Sequence, residues 1–148
     1  MMNDGDLALG LEPFIVRFDH VSMAVRDIDA ARPFVSLVGG EYLEGGFNTR
    51  DDFRWAQYRL SGGAILEMIA PNDPHQSDHF LNRFLASRGE GLHHITLRVT
   101  DLQAAVAAAT RLGFTVVGIN DSDPDWKEAF IHPRSAHGVL VQIAQSTE

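Results

Sequence analysis

The sequence predicts an α+β protein built from two copies of one β-α-β-β-β module. Short apolar and β-branched runs bounded by turn residues predict strands in each half of the chain, and one alanine-bearing segment per half has helical spacing. Residue types also recur at a constant spacing of 74, which indicates an internal duplication. The recurring pairs are His20 and His94, Asp27 and Asp101, Ala30 and Ala104, and Gly39 and Gly113.

Module one is expected over residues 14–71. Its predicted strands are Ile15–Val25, Glu41–Leu43, Phe53–Leu60 and Ala64–Ile69. Between the first two, a helix is expected to start at Asp27, which can cap it, and to run to about Leu37. The glycine pair that follows, Gly39 and Gly40, is typical of a helix end.

Module two is expected over residues 91–146, after a linker at residues 72–90 that contains a short helix at His79–Ser87. Its helix is predicted over Leu102–Leu112, with Thr100 and Gln103 at the spacing of a capping box. Its predicted strands are Leu92–Val99, Thr115–Ile119, Glu128–His132 and Val139–Ala144. Residues 1–13 form a flexible leader in this interpretation, and residues 14–148 form one domain.

The composition limits the classes of ligand and partner that the chain is expected to bind. With 148 residues, 45% of them hydrophobic and 22% charged, the chain is an ordinary globular sequence. It has no cysteine, so a metal would need histidine, carboxylate or amide ligands. The formal charge of −8 argues against nucleic acid as a partner, and an anionic substrate would need a local basic patch. No signal peptide or membrane span is evident, so a cytoplasmic location without membrane partners is expected.

Each copy carries one histidine on its first strand and one polar residue on its last. His20 and His94 are the histidines, and Glu67 and Gln142, which are 75 residues apart, are the polar residues. A glutamate inside the run Ile65–Ile69 is costly to bury unless it is paired or bound to metal. The alternative is that Glu67 lies on a solvated face of its sheet. If the two copies face each other, four metal-competent side chains come together.

The other histidines favour structural roles. His93 should point to the opposite face from His94, because successive strand residues alternate. His75 and His79 are expected to cap or to be solvated. The remaining two, His132 and His137, flank a turn, and a place in a substrate loop is as well supported as no role.

These motifs resemble the vicinal oxygen chelate superfamily, which includes glyoxalase I, methylmalonyl-CoA epimerase, extradiol dioxygenases and bleomycin-resistance proteins. The segments that carry the resemblance are Asp19–Val21, Leu66–Pro71, Gly91–Ile95 and Ala129–Gln142. The last segment is most similar to methylmalonyl-CoA epimerase. The resemblance implies that the paired modules form a cupped, open β-barrel with the helices outside. It also implies a divalent metal ion (Co, Ni, Zn, Mn or Fe) held by His20, Glu67, His94 and Gln142.

Two departures from the epimerases affect the catalytic assignment. Their position matching Gln142 is usually a glutamate that binds metal and moves a proton, whereas an amide cannot act as a base. Their second catalytic glutamate lies in a loop that here reads Asn48–Asp52, without glutamate. The candidates for the base are therefore Glu67, in the mirror position, and Asp51 or Asp52 on that loop.

The predicted function is that of a metal-dependent isomerase, epimerase or lyase that removes a proton next to a carbonyl. An acyl-CoA such as methylmalonyl-CoA is the expected substrate, with a metal chelating two vicinal oxygens, and a homodimer is the expected assembly. One alternative is a ferrous ring-cleaving dioxygenase, for which His20, His94 and Glu67 supply a two-histidine, one-carboxylate set. Another is a non-catalytic protein that binds a small molecule, as resistance proteins do.

Overall fold

The computed structural model describes residues 10–148. Most of the predicted leader lies outside the described residues. Its end is ordered, because Glu12–Phe14 form a 3₁₀ turn and the carbonyl of Phe14 accepts a hydrogen bond from the Thr100 amide at 2.8 Å.

Strands and helices follow the predicted order. The strands are β1 (Ile15–Ala24), β2 (Glu41–Asn48), β3 (Phe53–Arg59), β4 (Ile65–Pro71), β5 (Gly91–Val99), β6 (Val116–Asn120), β7 (Trp126–Ile131) and β8 (Val141–Ser146). The α-helices are α1 (Arg32–Leu37), α2 (Phe80–Arg88) and α3 (Leu102–Arg111). Within each half of the described chain the strands pair in both parallel and antiparallel directions. The α+β class and the repeated β-α-β-β-β order are thereby confirmed.

The described residues divide into two compact units. One is His20–His93, which we call unit A, and the other combines residues 10–19 with residues 94–148, which we call unit B.

In unit A the strand order is β2-β3-β4-β1. Strand β3 runs antiparallel to β4 and places Gln57 opposite Glu67, while β1 runs parallel to β4. One face of this sheet packs against α1 through an apolar cluster. Its buried members are Val25, Val35, Ala56, Tyr58, Met68 and Ala70.

The start of α1 differs from the prediction. Asp27 does accept hydrogen bonds from the backbone amides of Asp29 and Ala30, at 2.8 and 3.3 Å, but it closes a turn and does not start the helix. The helix begins at Arg32, directly before Pro33. Proline is favoured in the first turn of a helix because it lacks an N–H group, so the helix starts there.

In unit B the strand order is β5-β8-β7-β6, with β5 parallel to β8 and β7 antiparallel to it. Helix α3 covers an apolar cluster whose members include Val99, Ala105 and Ile143. The residue that caps α3 is Asp101, whose carboxylate accepts from the Ala104 amide at 3.1 Å, and not Thr100. A carboxylate at this position also complements the positive end of the helix dipole.

The strand bounds differ from the predicted ones at one end or both, and the differences in β2 and β7 concern residues near the proposed site. Strand β2 extends to Asn48, paired along its length with β3. Strand β7 starts at Trp126 and not at Glu128, which places Glu128 inside the strand with its neighbours on β8.

Candidate metal centre

Unit A holds two of the predicted metal ligands in contact. His20 is buried on β1, and its Nε2 lies 3.5 Å from Oε1 of Glu67 on β4. Both carboxylate oxygens of Glu67 also accept hydrogen bonds. Ser22 Oγ donates to Oε1 at 2.8 Å, and Gln57 Nε2 donates to Oε2 at 2.9 Å. These side chains share the sheet face opposite α1, because Leu66 and Met68, which flank Glu67, point to the other face.

Glu67 is largely shielded from water, with 13% of its side chain exposed. Burial alone would raise its pKa, but the hydrogen bond and charge of His20, with the donors Gln57 and Ser22, outweigh burial and lower the pKa. The solvated face considered from the sequence is therefore wrong for this residue. A carboxylate that stays ionised while shielded from water suits a cation ligand, and its low basicity makes it a weak proton acceptor.

The loop between β2 and β3 places Asp51 and Asp52 in other contacts. The Asp51 carboxylate lies 3.6 Å from Arg50 Nε, and its carbonyl accepts from His79 Nε2 at 2.8 Å. Asp52 adopts a left-handed backbone with φ of 54°. Within residues 10–148, neither carboxylate has a hydrogen bond to Glu67. Their catalytic assignment stays a prediction.

Unit B carries a matching arrangement around Gln142, which is 8% exposed on β8. Thr96 Oγ1 on β5 donates to Gln142 Oε1 at 2.7 Å. Gln142 Nε2 donates to Glu128 Oε1 at 3.2 Å, and the indole Nε1 of Trp126 donates to the same oxygen at 2.9 Å. These bonds fix which end of the amide is the oxygen, so Gln142 presents a carbonyl oxygen as its only ligand atom.

Glu128 is the residue that sequence reasoning missed. It is a carboxylate only 9% exposed, inside β7, on the same face as Gln142. The sequence predicts Glu128 as the first residue of its strand, where a charge is usually solvated. No apolar run encloses Glu128 as Ile65–Ile69 encloses Glu67, because Lys127 precedes it, so the sequence pattern does not indicate its burial.

His94 lies on β5 two residues before Thr96, and its ring meets that of Phe130 edge to face with centroids 6.4 Å apart. Among the described residues, His20, Glu67 and His94 are the group that could hold a metal ion. Two imidazoles, a carboxylate and the Gln142 carbonyl are donors that suit divalent transition metals. The chemistry of the donor set therefore fits such an ion.

Three of the remaining histidines have local partners for their side chains. His93 packs against the rings of Phe80 and Phe84, and burial, followed by the charge of Arg88, lowers its pKa to about 4. His79 caps α2 by accepting from the Leu81 amide. His132 accepts from the Arg134 amide and caps a 3₁₀ turn.

Comparisons with known proteins agree with the fold. The family model for the glyoxalase/bleomycin resistance protein/dioxygenase superfamily matches residues 19–130. An uncharacterized protein of Bacillus subtilis (strain 168), YqjC, is 29% identical over 135 residues, which cover 87% of this chain and 91% of that protein.

Two solved structures are also similar. Methylmalonyl-CoA epimerase from Mycobacterium tuberculosis is 26% identical with a TM-score of 0.78, covering 100% of this chain and 94% of that one. A Streptomyces coelicolor methylmalonyl-CoA epimerase in complex with 2-nitronate-propionyl-CoA is 27% identical with a TM-score of 0.75, covering 90% of this chain and 99% of that one. In the described chain no helix has the length and apolar character needed to cross a membrane. The chain belongs to the glyoxalase/bleomycin resistance protein/dioxygenase superfamily.

Proposed function

We propose that this protein is a divalent-metal-dependent enzyme that removes a proton next to a carbonyl group of an acyl-CoA, as an epimerase, isomerase or lyase. One observation carries the proposal: the largely shielded carboxylate of Glu67 lies 3.5 Å from the buried His20, and unit B repeats the arrangement of polar side chains around Gln142. The similarity to methylmalonyl-CoA epimerases supports the substrate class.

His20, Glu67, His94 and Gln142 would hold the metal in this proposal. A bound divalent ion would supply Lewis acidity, which polarises the substrate carbonyl and stabilises negative charge on its oxygen. Glu67 contributes the single negative charge of the ligand set. Ser22 and Gln57 orient its carboxylate, and Thr96 orients the Gln142 amide.

The proton acceptor is assigned here to Glu128. Glu67 is poorly suited because its pKa is lowered and both its oxygens already accept hydrogen bonds. Glu128 is a second buried carboxylate, on the Gln142 face of unit B, and Trp126 and Gln142 hold one of its oxygens. A general base needs a carboxylate held in a fixed position, and these two hydrogen bonds hold Glu128. Asp51 and Asp52 remain the alternatives from the sequence.

Proton exchange tests this proposal directly. Methylmalonyl-CoA incubated with the enzyme and Co²⁺ in deuterated water should gain deuterium at its α-carbon. Glu128→Gln should lose most of the exchange and keep the metal, whereas the matched control Glu44→Gln, at an exposed position on β2, should exchange like wild type. Full exchange in Glu128→Gln, with loss in Asp51→Asn or Asp52→Asn, would move the base to the loop. No exchange with any acyl-CoA would reject the proposed reaction.

A ferrous dioxygenase is the second candidate, because two histidines and one glutamate form the group that could hold a metal. Oxygen uptake with catechols that depends on ferrous iron would favour it over proton transfer. A chain that binds no divalent metal would instead favour a non-catalytic binding protein.

A homodimer and a cytoplasmic location stay predictions. Several large apolar side chains are exposed, including Leu37, Phe18 and Val16, and a partner copy would bury such surface. Sedimentation at micromolar concentration decides the assembly, and a monomer there would rule out the dimer.

A further inference from the structure

Unit A contains a concave site on the sheet face opposite the Glu67 face. A cavity of about 990 Å³ lies beside α1. Its lining includes Ile28, Val35, Ala56, Tyr58 and Ala70, all of which belong to the apolar cluster under α1. Ala56 and Tyr58 flank Gln57 on β3, so their side chains point away from the Gln57–Glu67 face. The proposed metal site and this cavity are therefore on opposite faces of one sheet.

Three arginines line the cavity from three different segments. Arg26 follows β1, Arg32 starts α1, and Arg54 lies on β3. Within residues 10–148, none of the three guanidinium groups forms a salt bridge or a hydrogen bond. Their convergence is notable in a chain with 12 Lys and Arg against 20 Asp and Glu. Cationic groups around a concave, partly apolar wall focus a positive potential into it.

Two aspartates also line the cavity and offset part of this charge. The Asp27 carboxylate accepts hydrogen bonds from the amides of Asp29 and Ala30, which satisfy part of its acceptor capacity. Asp29 is exposed beside it. The balance of three arginines and two aspartates leaves the wall positive, while the chain as a whole is at −8.

The rest of the wall is aromatic. Tyr42 lines the cavity with 61% of the residue exposed, and its ring meets that of Tyr58 edge to face with centroids 5.9 Å apart. Tyr58 is buried in the sheet and holds the exposed ring in place. Such a ring can pack against a planar ligand group at little entropic cost, because tyrosine has few rotatable bonds.

We propose that this cavity binds a small anion made of a planar ring and a phosphate group, the nucleotide class. The guanidinium fork matches the oxygens of a phosphate and pairs with them in a bidentate manner. Arg32 and Arg54 hold the phosphate, and the exposed ring of Tyr42 packs against the planar ring of the ligand. The volume is at the upper end of the range for small-molecule sites, which leaves room for a mononucleotide. This site does not depend on the proposed metal chemistry.

Calorimetric titration with AMP tests the site on the full chain, with a chelator present. AMP should bind, inorganic phosphate and adenosine should each bind at least tenfold more weakly, and added salt should weaken the AMP interaction. Arg32→Gln/Arg54→Gln should weaken AMP binding at least tenfold, and Tyr42→Ala should weaken it less. The matched control is Arg83→Gln, an exposed arginine on α2 outside the cavity, which should bind AMP within twofold of wild type.

Several results would overturn the inference. They are no AMP binding, AMP affinity unchanged in the double arginine variant, and adenosine binding as tightly as AMP. Thermal unfolding confirms that each variant is folded. Repeating the titration on His20→Ala/His94→Ala separates the two proposals: unchanged AMP affinity there with metal binding lost supports an independent site, and a parallel loss of AMP contradicts it.

Discussion

Each module carries one amide, one carboxylate and one hydroxyl side chain, but the strands that hold the amide and the carboxylate are exchanged between the two modules. In unit A the last strand carries the carboxylate, Glu67, and the strand before it carries the amide, Gln57. In unit B the last strand carries the amide, Gln142, and the strand before it carries the carboxylate, Glu128. A hydroxyl from the first strand, Ser22 or Thr96, completes each set.

This exchange separates two roles that a single glutamate would otherwise combine. In unit A, the Glu67 carboxylate accepts hydrogen bonds from Ser22 and Gln57 and lies beside His20. Its pKa is lowered, which suits a metal ligand. The carboxylate of unit B is displaced along the sheet, since Glu128 lies opposite Ala144 and not opposite Gln142. The proposed metal ligand Glu67 and the proposed base Glu128 therefore lie on different modules.

The largest effect is expected when both histidines are removed. His20→Ala/His94→Ala takes away the matched imidazole of each module and should abolish tight divalent-metal binding. The strands should persist, because the apolar clusters of both units do not include either histidine. Metal content by mass spectrometry, with circular dichroism as the folding check, measures this. Unchanged metal content in the folded variant would show that the ion binds elsewhere.

Exchanging the carboxylate and the amide in unit B tests whether Glu128 and Gln142 are coupled. Gln142→Glu alone would put a carboxylate against Glu128 at the present 3.2 Å contact, and two like charges there favour uptake of a proton. Glu128→Gln/Gln142→Glu instead rebuilds the order of unit A. Because it adds ligand charge without that repulsion, it should bind Co²⁺ more tightly than the single variant, on the order of tenfold.

Competition titration with a metal-sensitive dye measures these affinities, with Glu44→Gln as the control. The same double variant should lose proton exchange while it holds metal well, because the proposed base is gone. Equal Co²⁺ affinity in the single and double variants would contradict the coupling between Glu128 and Gln142.

A smaller difference is expected between the two hydroxyls. Ser22→Ala removes a donor to a charged acceptor, and Thr96→Val removes a donor to a neutral one. Hydrogen bonds to charged groups contribute about 1.5–3 kcal/mol and neutral ones about 0.5–1.5 kcal/mol. Ser22→Ala should therefore lower the unfolding free energy more in urea titrations of the metal-free protein. A larger loss in Thr96→Val would contradict the ranking.

The smallest effect concerns the opposite sheet face, where Tyr58 of unit A corresponds by strand register to Ile131 of unit B. Burial raises the pKa of the Tyr58 phenol above its ordinary value of about 10, with Arg32 opposing the shift. Its contribution to stability is therefore complete below pH of about 10 and is lost as the pH rises through the folded pKa. Tyr58→Phe should reduce the fall in unfolding free energy above pH 10. An identical pH profile in Tyr58→Phe would show that Tyr58 does not contribute.

Sequence reasoning was most accurate where the two copies constrained each other. The 74-residue spacing identified His20 and His94 as equivalent, and strand periodicity gave the repeated order of elements. Local chemistry at single residues was harder to predict. The start of α1 depends on Pro33 and on a turn closed by Asp27, and both Thr100 and Asp101 are good caps by type.

Glu128 was missed for a related reason. Its burial depends on where β7 begins and on which neighbours cover it, namely Trp126 and Gln142. The Gln142 contact joins residues 14 positions apart on different strands, which periodicity within one segment cannot reveal. The amide–carboxylate exchange is likewise a property of strand register, so it required the pairing of β3 with β4 and of β7 with β8.

The ligand set of a bound ion tests the central claim most directly. Crystals grown with Co²⁺ and measured at its absorption edge would locate the ion by anomalous scattering. One ion per chain is expected, bound by His20 and Glu67 from one module and by His94 and Gln142 from the other. Nitrogen and oxygen ligand distances should be near 2.0–2.2 Å, by analogy with zinc. An ion held by one module alone, or by residues outside this set, would contradict it.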